Sequence, residues 1–161
     1  MEDKLDILEK GNEKMKLLAK FRRDVKKMGK KTLLFGITGM ECSLFSLALV
    51  NQLLSRNEYN LIVILTQHAM KFISEEEVQK IAMATKHDVC FLTLIDKDEW
   101  NFWSNSLIVL HIYLRNMVDG LFIAPLCPNN LAKLANGFCD DLLVFAILIR
   151  TNRHVYAELG I

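Results

Sequence analysis

Thr32-Leu-Leu-Phe-Gly-Ile37-Thr-Gly39, then the run from Ser43 to Leu54, then Asn60-Leu-Ile-Val-Ile-Leu65-Thr66 decide the fold. The first and third pieces are continuous apolar runs, the pattern of strands buried on both faces. The middle piece sets Leu44, Leu47, Ala48 and Leu54 near helical spacing and reads as an amphipathic helix. Strand, helix and strand at this separation make a βαβ unit with its two strands parallel.

Toward the C-terminus the alternation continues. Ser74 is a candidate N-cap for a helix over Glu75–Ala84. Val89–Leu94 reads as a short strand and Ser106–Asn116 as a helix. Gly120-Leu-Phe-Ile-Ala124 is a third buried strand, stopped by Pro125. Pro128 suits the first turn of a helix that runs to Asn136, with Gly137 as its stop. Asp141–Ile149 holds an apolar run that periodicity leaves open between strand and helix, and His154–Ala157 begins a candidate last strand. Together these predict an α/β protein, a three-layer αβα sandwich with a mainly parallel sheet.

Toward the N-terminus, Leu5, Leu8, Met15, Leu18 and Phe21 recur near helical spacing, so residues 2–29 read as one helix. Gly11 weakens its middle by about 1 kcal/mol relative to alanine. Gly29, followed by Lys30 and Lys31, marks the stop. Residues 1–31 carry eleven basic and six acidic side chains. They are expected to form a basic helical extension outside the core, with residues 32–161 as the domain. The charge would suit an acidic partner or a membrane surface, but a solvated helix accounts for it more simply.

With 161 residues, 52% of them hydrophobic, and a net charge of +1, the chain suits one domain with one core and makes no case for nucleic acid. The charged N-terminus is no secretory signal, and no apolar run approaches the roughly 18 residues a membrane span needs. Cys42, Cys90, Cys127 and Cys139 form no C-x-x-C pair, and His68, His87, His111 and His154 lack ligand spacing beside them. Free thiols in a reducing, cytoplasmic setting and no metal site are therefore expected.

In open α/β sheets ligands bind beyond the carboxyl ends of the strands. Those ends carry Thr38-Gly39, Thr66-Gln67-His68 and Pro125-Leu-Cys-Pro-Asn-Asn130. Neither a G-x-G-x-x-G fingerprint nor a P-loop lysine is present.

One longer pattern adds to this. Leu110-His-Ile-Tyr-Leu114, Asp119 and Ala124-Pro-Leu-Cys-Pro-Asn-Asn-Leu-Ala-Lys-Leu-Ala-Asn-Gly-Phe-Cys-Asp-Asp-Leu-Leu143 resemble the phosphopantothenoylcysteine decarboxylase-like flavoproteins. Gly36-Ile-Thr-Gly39, Leu65-Thr66 and the Asp98-Glu-Trp100 segment fall in family order, and the likeness spans about residues 32–150. The resemblance implies a flavodoxin-like fold, with Asp141–Ile149 helical. It also implies FMN as cofactor, a homotrimer or mixed trimer, and decarboxylation of 4′-phosphopantothenoylcysteine on the path to coenzyme A. By the same resemblance His111 is the catalytic histidine. Gly39 and Met40 belong to the phosphate loop, Thr66 and His68 to the second flavin loop, and Cys127, Pro128, Asn129 and Asn130 to the third.

Departures from the family pattern accompany the likeness. Met40 stands where the family commonly has serine, and Glu41 adds a negative charge beside an expected anion site. Cys127, Pro128 and Asn130 alter the third loop, where Pro128 also removes an amide donor. After Arg150 the family's P-x-M-N-x-x-M-W motif and substrate-loop cysteine have no counterparts. This predicts an incomplete C-terminal end, a sheet edge left unpaired and a core that is marginal without a partner. An inactive regulatory or interaction subunit on the same fold is the alternative to the decarboxylase. A flavin prenyltransferase relative is a third, which Leu-His-Ile-x-Leu speaks against.

Overall fold

The computed structural model describes residues 4–84, 88–149 and 155–159. His87, Arg150 and the stretch from Thr151 to His154 lie outside them. Among the described residues five strands form a single parallel sheet: β1 (Thr32–Ile37), β2 (Asn60–Leu65), β3 (Phe91–Ile95), β4 (Gly120–Leu126) and β5 (Val155–Leu159), in the order β3-β2-β1-β4-β5. The chain winds outward from β1 to β3, then returns to the other side of β1 with β4. The switch point between β1 and β4 is where such a sheet opens a crevice.

Strands β1 to β4 alternate their side chains between two cores. Phe35, Ile37, Leu61, Val63 and Leu65 pack against Val50 and Leu54 of α3 (Phe45–Arg56) and Val78 of α4 (Glu75–Ala84). On the opposite face, Leu34, Ile62, Ile64, Leu92 and Ile123 meet α5 (Asp96–Ser106), α6 (Leu110–Arg115) and α8 (Leu142–Leu148). Helices on both faces explain why β1 and β2 read as unbroken apolar runs. The remaining helix after β4, α7 (Pro128–Asn136), carries Pro128 in its first turn. The stretch open between strand and helix is α8, capped by Asp141 Oδ1, which accepts from Val144 N at 2.8 Å.

The stop signals correspond to backbone geometry. Gly29 (φ 66°) and Gly137 (φ 71°) end their helices in the left-handed region, where a Cβ would be strained. Ser74 and Glu77 exchange a reciprocal cap at the start of α4. Among the described residues no helix is long and apolar enough to cross a membrane, and all four cysteines are free.

Two expectations are corrected. The N-terminal segment is two helices, α1 (Lys4–Lys10) and α2 (Glu13–Met28), broken at Gly11, with Asn12 capping the second through a 3.0 Å bond from Met15 N. They do not stand outside the core. Leu8, Met15, Leu18 and Ala19 are fully buried and belong to the same cluster as Leu34 and Ile62. Lys14 fastens α2 further, reaching Glu75 at 2.5 Å and Asp98 at 2.9 Å. Next, Ser106–Asn116 is not one helix. Ser106 closes α5, Leu107 turns left-handed (φ 56°), and α6 starts only at Leu110. Helix α5 has no strong apolar stripe, because Phe102 is its one buried apolar side chain. The candidate last strand is present as β5, which pairs in parallel with β4 and forms one edge of the sheet.

Candidate functional site

The ends of β1 and β4 are tied together by Thr38. Its hydroxyl donates to Pro125 O and accepts from Cys127 N, both at 2.7 Å. Ser46 of α3 donates to Ala124 O at 2.8 Å from the same crossing. Cys127 caps α7 through sulfur: Asn130 N donates to Sγ at 3.4 Å, and Sγ donates back to Asn130 Oδ1 at 3.1 Å. Pro128 and Asn129 are exposed on the outer side of this turn, while Asn130 is buried.

Gly39 lies where a Cβ would sit 2.5 Å from His68 Cβ and 2.6 Å from its carbonyl carbon. The β1 and β2 loops therefore pack backbone against backbone, and the close approach that glycine permits here is to His68. Gly39→Ala should destabilise the protein by about 1–3 kcal/mol, since the obstruction is main chain and cannot swing aside. An unchanged melting temperature would show that the two loops are not in contact. The neighbouring amide of Met40 donates to Ser43 Oγ at 2.9 Å, and that hydroxyl donates to Thr38 O at 2.7 Å. Ser43 thus satisfies a donor that a phosphate loop would present to its anion, and Glu41 is exposed beside it.

Beyond β2 opens a cleft of about 320 Å³, at the small end of ligand-sized cavities. Thr66, Gln67 and His68 form one wall, α5 another, and α7 with α8 the third. Asp96 joins the walls by accepting from Gln67 N at 2.7 Å and from Leu142 N at 3.2 Å. Burial raises its carboxyl above the ordinary aspartate range, against the opposing hydrogen bond from Gln67, and nearby Asp141 pushes it further up. Lys133 faces both acids of the next turn, 2.7 Å from Asp140 and 3.2 Å from Asp141. Burial pulls its ammonium down, but these two partners outweigh it and the net shift is upward.

His111 lies behind this cleft, at the start of α6. Its Nδ1 is 2.8 Å from Glu99 Oε1, and its backbone amide donates to Glu99 Oε2 at 3.0 Å. The imidazole stacks on Phe145 of α8, with centroids 4.8 Å apart and planes within 10°. Both Glu99 and Phe145 line the cleft. The histidine is thus held between two residues that themselves face the ligand space.

Of the residues singled out by sequence, Thr66, His68 and Asn130 line this cleft together. His111, Gly39, Met40, Cys127, Pro128 and Asn129 do not. Sequence reasoning missed Glu99, Asp96, Lys133 and Phe145. Asp98-Glu-Trp100 was visible as a segment, but no periodicity links position 99 to position 111 on a different helix.

The lining fits a flavin ring, which is flat and apolar with polar atoms along one edge. Thr66 Oγ1 accepts from Ala69 N at 3.2 Å and keeps its own proton to donate, while Met70, Leu142 and Phe145 supply apolar surface. The phosphate end is less well provided, for the reasons given at Met40 and Glu41.

Comparison with known proteins agrees with this architecture. The family described as Flavoprotein matches residues 22–155. A protein of Dictyostelium discoideum provisionally named a phosphopantothenoylcysteine decarboxylase is 38% identical over 119 residues, covering 73% of this chain and 56% of that protein. The phosphopantothenoylcysteine decarboxylase of Mus musculus is 36% identical over 115 residues, 71% of this chain and 51% of its own. The solved structure of the FMN binding protein AtHal3 superimposes with a TM-score of 0.61 at 28% identity, over 73% of this chain and 58% of that one. The chain spans about half the length of these curated relatives.

Proposed function

This chain belongs to the Flavoprotein family and is phosphopantothenoylcysteine decarboxylase-like within it, and from that premise we propose that it binds FMN and serves the decarboxylation of 4′-phosphopantothenoylcysteine to 4′-phosphopantetheine in coenzyme A biosynthesis. The observation that carries this reading is His111, gripped by Glu99 and Phe145, which themselves line a cleft beyond the strand ends. Thr66, Gln67 and His68 would hold the flavin ring from the β2 side, and Asn130 from α7. When bound, FMN supplies the two-electron sink and source that loss of carbon dioxide from an unactivated carbon requires. The chain's own contribution is orientation, exclusion of water and proton handling at the His111 ring. The reading includes a cytoplasmic homotrimer, or a mixed trimer with longer subunits.

A second reading, an inactive flavoprotein-fold regulatory or interaction subunit, is favoured by the β1 loop. There Ser43 already occupies the Met40 amide, and Glu41 repels an anion. Two measurements separate the readings. The purified protein should be yellow, and FMN fluorescence should change on titration with the apoprotein. A colourless protein with no fluorescence response would refute FMN binding and leave the interaction role.

A further inference from the structure

We infer that Glu99 is a positioning residue that fixes the tautomer of His111, holding a proton on Nδ1 so that Nε2 is the atom that exchanges a proton with substrate. The inference rests on the role proposed above for His111. Two nitrogens of His111 converge on one carboxylate: Oε2 accepts the backbone N–H at 3.0 Å, and Oε1 lies 2.8 Å from Nδ1. An ionised carboxylate only accepts, so Nδ1 must carry hydrogen, and a neutral imidazole then keeps its lone pair on Nε2. The opposite tautomer would set a nitrogen lone pair against a carboxylate oxygen.

Burial enforces the choice. Glu99 is 6% exposed, so little water is available to relieve that repulsion. Phe145, stacked on the ring, holds the imidazole in its plane. The carboxylate also serves the fold. Val109, the N-cap of α6, has no side-chain acceptor, and Glu99 takes up the helix's second amide in its place. One side chain of α5 therefore starts the next helix and sets the protonation geometry of its histidine.

The test is Glu99→Gln. Glutamine has one acceptor oxygen and one NH₂ where glutamate has two acceptors. The backbone N–H can only donate, so the oxygen must face it, and the NH₂ is left facing Nδ1. Nδ1 can accept only without its proton, so the tautomer should reverse. Nitrogen NMR of histidine-labelled protein in mildly alkaline solution reads this directly, with His111→Asn identifying the signals. Wild-type protein should show a protonated, pyrrole-type Nδ1 and a pyridine-type Nε2, and Glu99→Gln the reverse. A wild type protonated on Nε2, or a variant with the wild-type tautomer, overturns the inference. The wild-type spectrum is decisive by itself if the variant does not fold. In carbon dioxide release measured with a full-length homologous subunit lacking its own histidine, Glu99→Gln should lose about 10²-fold or more. A reversed tautomer with undiminished release would overturn proton exchange at Nε2, and the proposed role of His111 with it, while the Glu99–His111 geometry stood.

Discussion

Leu18→Ala is expected to destabilise the whole domain by about 2–5 kcal/mol, the usual cost of truncating a fully buried leucine. Leu18 lies in α2 with no exposed surface, in one cluster with Leu34 of β1, Ile62 of β2 and Phe102 of α5. Removing its methyl groups leaves a cavity facing the sheet, not a loosened terminus. Urea unfolding followed by tryptophan fluorescence makes the point, because Trp100 and Trp103 lie on α5, far from residue 18 in sequence. The midpoint should fall in a single transition, with the slope unchanged. Leu17→Ala is the control: Leu17 is 46% exposed, and its loss should shift stability by no more than about 0.5 kcal/mol. Equal, small effects at both positions would return α1 and α2 to the status of an appendage.

His111→Asn should abolish the chain's contribution to decarboxylation while leaving flavin binding intact. The loss expected on removing a positioned acid–base group is about 10²–10⁴-fold. The substitution is mild for the fold. An asparagine NH₂ can still donate to Glu99, so no buried carboxylate is stranded. The assay mixes this chain with a full-length homologous subunit whose own histidine has been replaced, and follows carbon dioxide release. Rescue by the wild-type chain and none by His111→Asn supports the proposed chemistry. Equal rescue by both would remove His111 from the reaction. An altered FMN spectrum in the variant would show instead that the histidine acts on the cofactor site.

Much of the architecture was legible in the sequence because its determinants are local. A strand covered on both faces must be apolar along its length, as β1 and β2 are, and that holds whatever packs against it. Gly29, Gly137, Pro128 and Ser74 announce helix ends through backbone preferences of single residues. The histidine motif and the loop after β4 were recognisable for the same reason, as short contiguous strings.

Other features depend on partners distant in sequence. The apolar stripe of α2 says that it packs somewhere, yet its charged remainder is equally that of a free helix, and only the sheet face beside β3 reveals where the stripe goes. Gly39 reads as a phosphate-loop glycine until His68 is found against it. The amide at Met40 looks available until Ser43 is seen to occupy it. Glu99 and His111 belong to separate helices, and nothing in their spacing joins them. The sequence by itself determined the strands, most helix ends and the α/β class, because backbone preference and hydrophobic run length act within a few residues. The tertiary structure alone decided what the N-terminal helices bury and which carboxylate meets the histidine, because burial and hydrogen bonding between side chains depend on distance in space.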